Sequence, residues 1–185
     1  MKVISGYLKG RNIEGYNILG TRPTMDRVKE SIFAMIQNNI KDSLVLDLFS
    51  GSGNYGIEAI SNYANLVYFN DLNKESIKVI KKNLTNFNIL NKSIILNLDY
   101  LKCLKTLKEK NIKFDLIFLD PPYKLKIIEN ILKLIIEYDL LNKNGLVICE
   151  FENDELLDNY DNLIKIKTKK YGLKEVYIYK RSQNE

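Results

Sequence analysis

The chain has 185 residues, 45% of them hydrophobic, with 28 basic against 23 acidic side chains, two cysteines and no histidine. That size and apolar content fit one globular domain; no apolar run approaches the roughly 18 residues of a membrane helix, and the first residues lack the apolar core of a signal peptide. Without histidine the commonest acid–base side chain is missing. Cys103 and Cys149 stand far apart without metal-ligand neighbours, and read as buried thiols of a reducing cytoplasm with no metal site.

Val3 to Ile18 is short, punctuated by glycine and weakly alternating, which predicts a small β-ribbon. From Asp26 to Asn39, Val28, Ile32, Met35, Ile36 and Ile40 follow helical spacing, with Thr24 a candidate N-cap. From Ser43 onward strands and helices alternate. Strands are expected at 43–48, 66–70, 93–98, 114–119 and 145–150, and helices near 55–62, 74–87, 100–110 and 127–138. Apolar strands alternating with helices imply a parallel sheet covered on both faces. The end differs: Leu163 to Lys170 and Glu175 to Lys180 alternate around Tyr171-Gly172-Leu173, a β-hairpin that makes the last strand antiparallel. The expected fold class is α/β, a mostly parallel seven-stranded sheet with a terminal hairpin, preceded by the ribbon and one helix (residues 1–42 as a basic extension, 43–185 as the core).

Two motifs carry chemistry. Asp47-Leu48-Phe49-Ser50-Gly51-Ser52-Gly53-Asn54-Tyr55-Gly56 follows the first core strand and satisfies G-x-G-x-x-G, where glycine permits a tight turn and close backbone approach to a ligand. Asp71 follows the second strand, placed to accept both hydroxyls of a ribose. The first half of the sheet therefore reads as a nucleoside site. A dinucleotide would bring a pyrophosphate to the helix N-terminus, which Asp47 would repel. S-adenosylmethionine has no phosphate, and Asp47 could attract the ammonium of its methionine tail; the plainer reading of Asp47 is a loop or helix cap. The sequence favours S-adenosylmethionine over a nicotinamide cofactor. Asp99, at the end of the third strand, reads equally as a partner of the adenine amine and as a cap for the next helix.

Asp120-Pro121-Pro122-Tyr123 ends the apolar run Phe114 to Leu119. Ligands of open α/β sheets bind at the carboxyl ends of strands. Two prolines remove two donors and fix two φ angles, leaving a rigid loop of acceptors beside an aromatic ring. That is a clamp for an NH2 group on a flat base, as against a plain proline turn covered by Tyr123.

Charge is uneven. Residues 1–42 hold seven basic and four acidic side chains, residues 43–162 fourteen and seventeen, and residues 163–185 seven and two. Basic ends around a slightly acidic core suit a polyanionic substrate, or simply make a lysine-rich surface.

The chain resembles the bacterial RsmD family of class I methyltransferases. The resemblance rests on Gly6-Tyr7-Leu8-Lys9-Gly10-Arg11, on the segment from Arg22-Pro23-Thr24 to Phe33, on Asp47 through Ser61, on Asp120-Pro121-Pro122-Tyr123, and on Tyr171-Gly172. It implies S-adenosylmethionine-dependent methylation of the exocyclic N2 of one guanine in 16S ribosomal RNA, with the small ribosomal subunit as partner, by a monomeric cytoplasmic enzyme. Asp120, Pro121, Pro122 and Tyr123 would be catalytic. Arg22, Thr24, Asp47, Phe49, Gly51, Gly53, Asp71 and Asp99 would hold the cofactor, and Lys2, Lys9, Arg11 and Arg27 would meet phosphates. Two departures stand out: Ser61-Asn62-Tyr63 replaces the family's Ser-Arg-Gly, and Lys169-Lys170 replaces an arginine-bearing pair. The competing readings are a DNA adenine-N6 methyltransferase, a protein glutamine methylase (which would carry Asn at position 120), a non-catalytic RNA-binding assembly factor and an NAD-dependent oxidoreductase.

Overall fold

The computed structural model describes residues 1–15 and 23–182, the side chains of residues 23–25 and of Tyr123 excepted. Its elements in chain order are α1 (Pro23–Ile36), β1 (Leu44–Asp47), α2 (Asn54–Ser61), β2 (Leu66–Asn70), α3 (Lys74–Asn86), β3 (Ser93–Leu96), α4 (Tyr100–Glu109), β4 (Phe114–Leu119), α5 (Ile128–Glu137), β5 (Leu141–Glu152), β6 (Asn159–Tyr160), β7 (Leu163–Tyr171) and β8 (Lys174–Arg181). One sheet takes the order β3-β2-β1-β4-β5-β8-β7-β6. The pairs from β3 through β5 are parallel, whereas β8 runs antiparallel to both β5 and β7. The predicted terminal hairpin is thus present, and its second strand lies inside the sheet.

Alternation along the strands sorts their side chains onto two faces. Val45, Phe69, Phe118 and Ile148 pack under Val28, Ile32, Ile57 and Ile80 of α1, α2 and α3. Leu46, Ile117, Val147 and Tyr179 pack under Leu104, Leu107, Ile131 and Ile135 of α4 and α5. Both faces are covered, as continuous apolar strands require.

Three expectations are corrected. The sheet has an eighth strand, the two-residue β6, which pairs Asn159 and Tyr160 with Ile164 and Leu163; so short a segment carries no readable alternation. The N-terminal ribbon reduces to one bridge between Lys2 and Asn12. Val3 N, Gly10 N and Ile13 N donate to the carbonyls of Arg11, Val3 and Met1, but Ile4 N and Ser5 N leave the ribbon and donate to the Glu58 carboxylate at 2.9 and 2.8 Å. Residues 16–18 of that expectation lie outside the described residues. Finally, α1 begins at Pro23, so Thr24 lies inside its first turn and is not the cap. Proline suits that position because the first amides of a helix have no intrahelical acceptor.

The departure at Ser61-Asn62-Tyr63 has a local account. Tyr63 takes a positive φ of 69° at the C-terminal end of α2, a conformation that glycine adopts without cost. Its ring packs on Tyr7 with centroids 5.5 Å apart, and Asn62 Nδ2 donates to the Ser5 hydroxyl and the Glu58 carbonyl.

Candidate active site

The carboxyl ends of β1, β2, β3, β4 and β5 open into one cavity of about 960 Å³. Asp71, Asp99, Asp120, Pro121, Pro122, Phe49, Gly51 and Glu150 all line it. The two motifs, 64 residues or more apart in sequence, therefore face one space. Its volume falls within the range of small-molecule sites.

The loop after β1 is shaped by its glycines. Gly51 and Gly53 take φ values of 53° and 85°, where a Cβ is strained. Gly56 serves packing instead: a Cβ there would stand 2.2 Å from the Phe69 ring, so glycine lets α2 close onto β2. Asp71 holds the loop from the neighbouring strand. Its Oδ2 accepts Gly51 N at 2.8 Å and its Oδ1 accepts Asn73 N at 2.8 Å. This fixes the carboxylate at the cavity wall.

Asp47 sits beneath the loop. It is buried, accepts Gly56 N at 3.0 Å, and is not among the residues lining the cavity. Burial pushes its carboxyl up to about 7, against the lowering effect of the Gly56 amide, with Asp71 adding to the rise. The observed contact is that of a loop cap.

Asp99 Oδ1 caps α4 by accepting Lys102 N at 3.1 Å, which is the cap reading, and the residue also lines the cavity. The Phe49 ring lies 6.0 Å from that of Tyr100, and both belong to the wall. Pro122 opens a short 3-10 turn, its carbonyl accepting Leu125 N at 3.0 Å. The Tyr123 and Thr24 side chains and the whole of Arg22 lie outside the described residues.

Of the cations expected to meet phosphate, Lys2, Lys9 and Arg27 are exposed. Arg11 is tied down: it donates to the Asn86 carbonyl at 2.7 Å and lies over the Phe87 ring at 4.3 Å.

Several site residues carry no sequence signal. Asn70 Nδ2 donates to the carbonyls of Leu48 and Leu98, and its Oδ1 accepts Leu98 N, so one carboxamide ties the ends of β1 and β2 to the segment after β3. Lys29 is buried between Glu58 Oε2 at 3.0 Å, Asn54 Oδ1 and the Lys2 carbonyl, both at 2.7 Å. Burial holds its ammonium below the usual lysine value, opposed by Glu58. Glu150, at the end of β5, accepts the Tyr55 hydroxyl and pairs with Lys174. A long-range partner is the only mark of each, and spacing does not reveal it.

A doubly covered sheet in this order, with a glycine loop, an acid after β2 and Asp-Pro-Pro after β4 on one cavity, defines a class I methyltransferase. The chain belongs to the family described as Conserved hypothetical protein 95, the RsmD family, whose model matches residues 1–180. It is 36% identical to Ribosomal RNA small subunit methyltransferase D of Buchnera aphidicola (strain APS) over 96% of this chain and 91% of that one. With the protein of the same name from Haemophilus influenzae it shares 34% identity over 97% and 93%. Among solved structures, the Escherichia coli protein yhhF superposes with a TM-score of 0.87 at 26% identity, covering 100% of this chain and 99% of that one. An RNA methyltransferase of Salinibacter ruber in complex with S-adenosyl-L-homocysteine, at 14% identity, shares the fold with a TM-score of 0.66 over 89% and 96%. No helix of the described residues is long and apolar enough to cross a membrane.

Proposed function

We propose that this methyltransferase uses S-adenosylmethionine to methylate the exocyclic N2 of a guanine in 16S ribosomal RNA, acting on the small ribosomal subunit or its assembly intermediate. One observation carries the reading: Asp120-Pro121-Pro122 opens onto the same cavity as the glycine loop and Asp71. The names of the relatives supply the RNA.

The residues present fit the cofactor. Asp71 is fixed at the wall to accept ribose hydroxyls, Asp99 at the wall is assigned to the adenine amine, Gly51 lets the backbone approach, and Gly53 turns the loop behind it. Arg22 and Thr24 are assigned to close over it, and Asp47 supports the loop from below. When bound, S-adenosylmethionine supplies an electrophilic methyl carbon on a sulfonium. Guanine N2 is a poor nucleophile because its lone pair is delocalised into the ring. Asp120 accepts one N–H and the Pro121 carbonyl the other, which favours a pyramidal nitrogen with its lone pair turned toward the methyl. Tyr123 stacks on the base and fixes its plane. Once methylated the nitrogen would carry an acidic proton, which Asp120, already its hydrogen-bond acceptor, could take without being a strong base. Orientation of this kind is worth on the order of 7–11 kcal/mol in well-aligned systems. The base must be unstacked first, at a cost of roughly a few kcal/mol. Lys2, Lys9 and Arg27 are assigned phosphate contacts, with Arg11 held beside them.

The test is methyl transfer from labelled S-adenosylmethionine to small subunits lacking the modification, to naked 16S RNA and to duplex DNA, with Asp120→Ala alongside and nucleoside analysis of the product. N2-methylguanosine that disappears in the variant supports the reading. N6-methyladenine would overturn the substrate. Unchanged function of Asp120→Ala in cells would point to a binding factor.

A further inference from the structure

The strand order divides the cavity in two. The residues assigned to the cofactor stand at the ends of β1, β2 and β3, on one side of the order β3-β2-β1-β4-β5. The acceptor base is left with the ends of β4 and β5. Leu119, the last residue of β4, is in register with Cys149 of the parallel β5, so Asp120, the first residue past β4, and Glu150 each follow a member of that pair. Glu150 is 4% exposed, yet it lines the cavity. Among the described residues, the Tyr55 hydroxyl holds its carboxylate at Oε2 and the Lys174 ammonium at Oε1. Tyr55 is itself clamped, its ring stacked 5.3 Å from Phe118 and 6.4 Å from Phe33. A buried ion pair adds little net stability over an apolar pair of the same shape, so stapling β8 to β5 does not by itself call for a carboxylate on this wall.

We propose that Glu150 is a specificity-determining residue of the acceptor site, its carboxylate accepting the N1–H of the guanine whose N2 is methylated. This rests on the guanine-N2 reading above. The Asp-Pro-Pro clamp accepts amine hydrogens, and it would serve an adenine amine as well as a guanine amine. What separates the two bases is the ring nitrogen beside the amine: guanine N1 carries a hydrogen, adenine N1 a lone pair. An ionised carboxylate only accepts. Glu150 therefore completes a donor–donor edge and repels an acceptor–donor one. Unstacked bases are read on this Watson–Crick edge. Tyr55, stacked on Phe118 and Phe33, keeps the carboxylate in place before the base arrives.

The experiment compares guanosine with 2-aminopurine at the methylated position of reconstituted small subunits. 2-Aminopurine keeps the acceptor amine but has a lone pair at N1. Wild-type protein should prefer guanosine in kcat/KM by about 10- to 100-fold, the loss expected for one charged hydrogen bond. Glu150→Gln can donate its amide N–H to the bare N1, so its preference should collapse to within about threefold or invert. Lys174→Met removes the ion pair but leaves the carboxylate, and should keep the guanosine preference. An equal loss by Glu150→Gln on both bases, or loss of the preference in Lys174→Met as complete as in Glu150→Gln, would assign Glu150 to structure alone and overturn the proposal. Absence of N2-methylguanosine with wild-type protein would overturn the guanine reading, and this proposal with it.

Discussion

Lys29 and Glu58 meet at 3.0 Å with both side chains fully buried. The pair joins α1 to α2, and Glu58 also accepts Ile4 N, Ser5 N and the Ser5 hydroxyl. The N-terminal segment, whose Met1 and Gly15 line the cavity, is anchored by this carboxylate at Ile4 and Ser5, by Ser61 at Tyr7 and Leu8, and by Asn83 at Glu14.

The two halves of the pair should not be equivalent. Glu58→Ala strands a buried ammonium and removes the acceptor of two backbone amides, with an expected cost of about 3–5 kcal/mol. Lys29→Met leaves a carboxylate that still accepts three donors, and about 1–3 kcal/mol is expected. Urea unfolding at constant m-value ranks them; an equal or reversed order would show that the amide contacts contribute nothing.

Asp47 should make stability depend on pH. Its folded value is raised to about 7 by burial, above the ordinary carboxylate value near 4. The folded state therefore holds a proton that the unfolded state has lost, and stability falls as pH rises between those two values, by up to about 4 kcal/mol. Asp47→Asn should remove that slope, so that its stability relative to wild type increases from pH 4 to pH 7. Parallel denaturation curves for the two proteins across this range would refute the assignment.

Much of this was open to reading from the chain. The strands of the parallel sheet are continuous apolar runs because both faces are covered, and Asp71 and Asp120 stand out because a lone acid ends such a run. The cap reading of Asp99 is met by its bond to Lys102 N, and a strand end lets the same residue face the cavity. What could not be read depends on partners distant in sequence. Glu150 lies 95 residues from Tyr55, and Lys29 is an ordinary helix lysine until Glu58 covers it. The ribbon is shorter than its alternation suggests because Gly6 and Gly10 turn the chain at positive φ and Ile4 and Ser5 give their amides to Glu58.

Gly56→Ala should destabilise by about 1–3 kcal/mol, because the added methyl enters the Phe69 ring in a packed interior. Phe69→Leu vacates that space, so the double variant should lose less than the sum of the single losses. Additive thermal shifts would mean that α2 moves away as a whole.

Asp71→Ala should weaken S-adenosylmethionine binding by about 10- to 100-fold, the effect of losing a charged hydrogen-bonding group. Part of this acts through Gly51, whose amide loses its acceptor at 2.8 Å. Calorimetric titration gives the affinity, and an unchanged value would remove Asp71 from the site.

Asn70 sets a limit on how this protein can age. Its single carboxamide is donor to Leu48 and Leu98 and acceptor from Leu98, two donor hydrogens and an acceptor in one uncharged planar group. Deamidation would turn the donor into an acceptor facing two carbonyls, with a new charge buried among them. The carboxyl ends that carry Gly51, Asp71 and Asp99 would then come apart while every apolar contact in the core stayed intact. A stored preparation would lose cofactor binding well before it lost its helices.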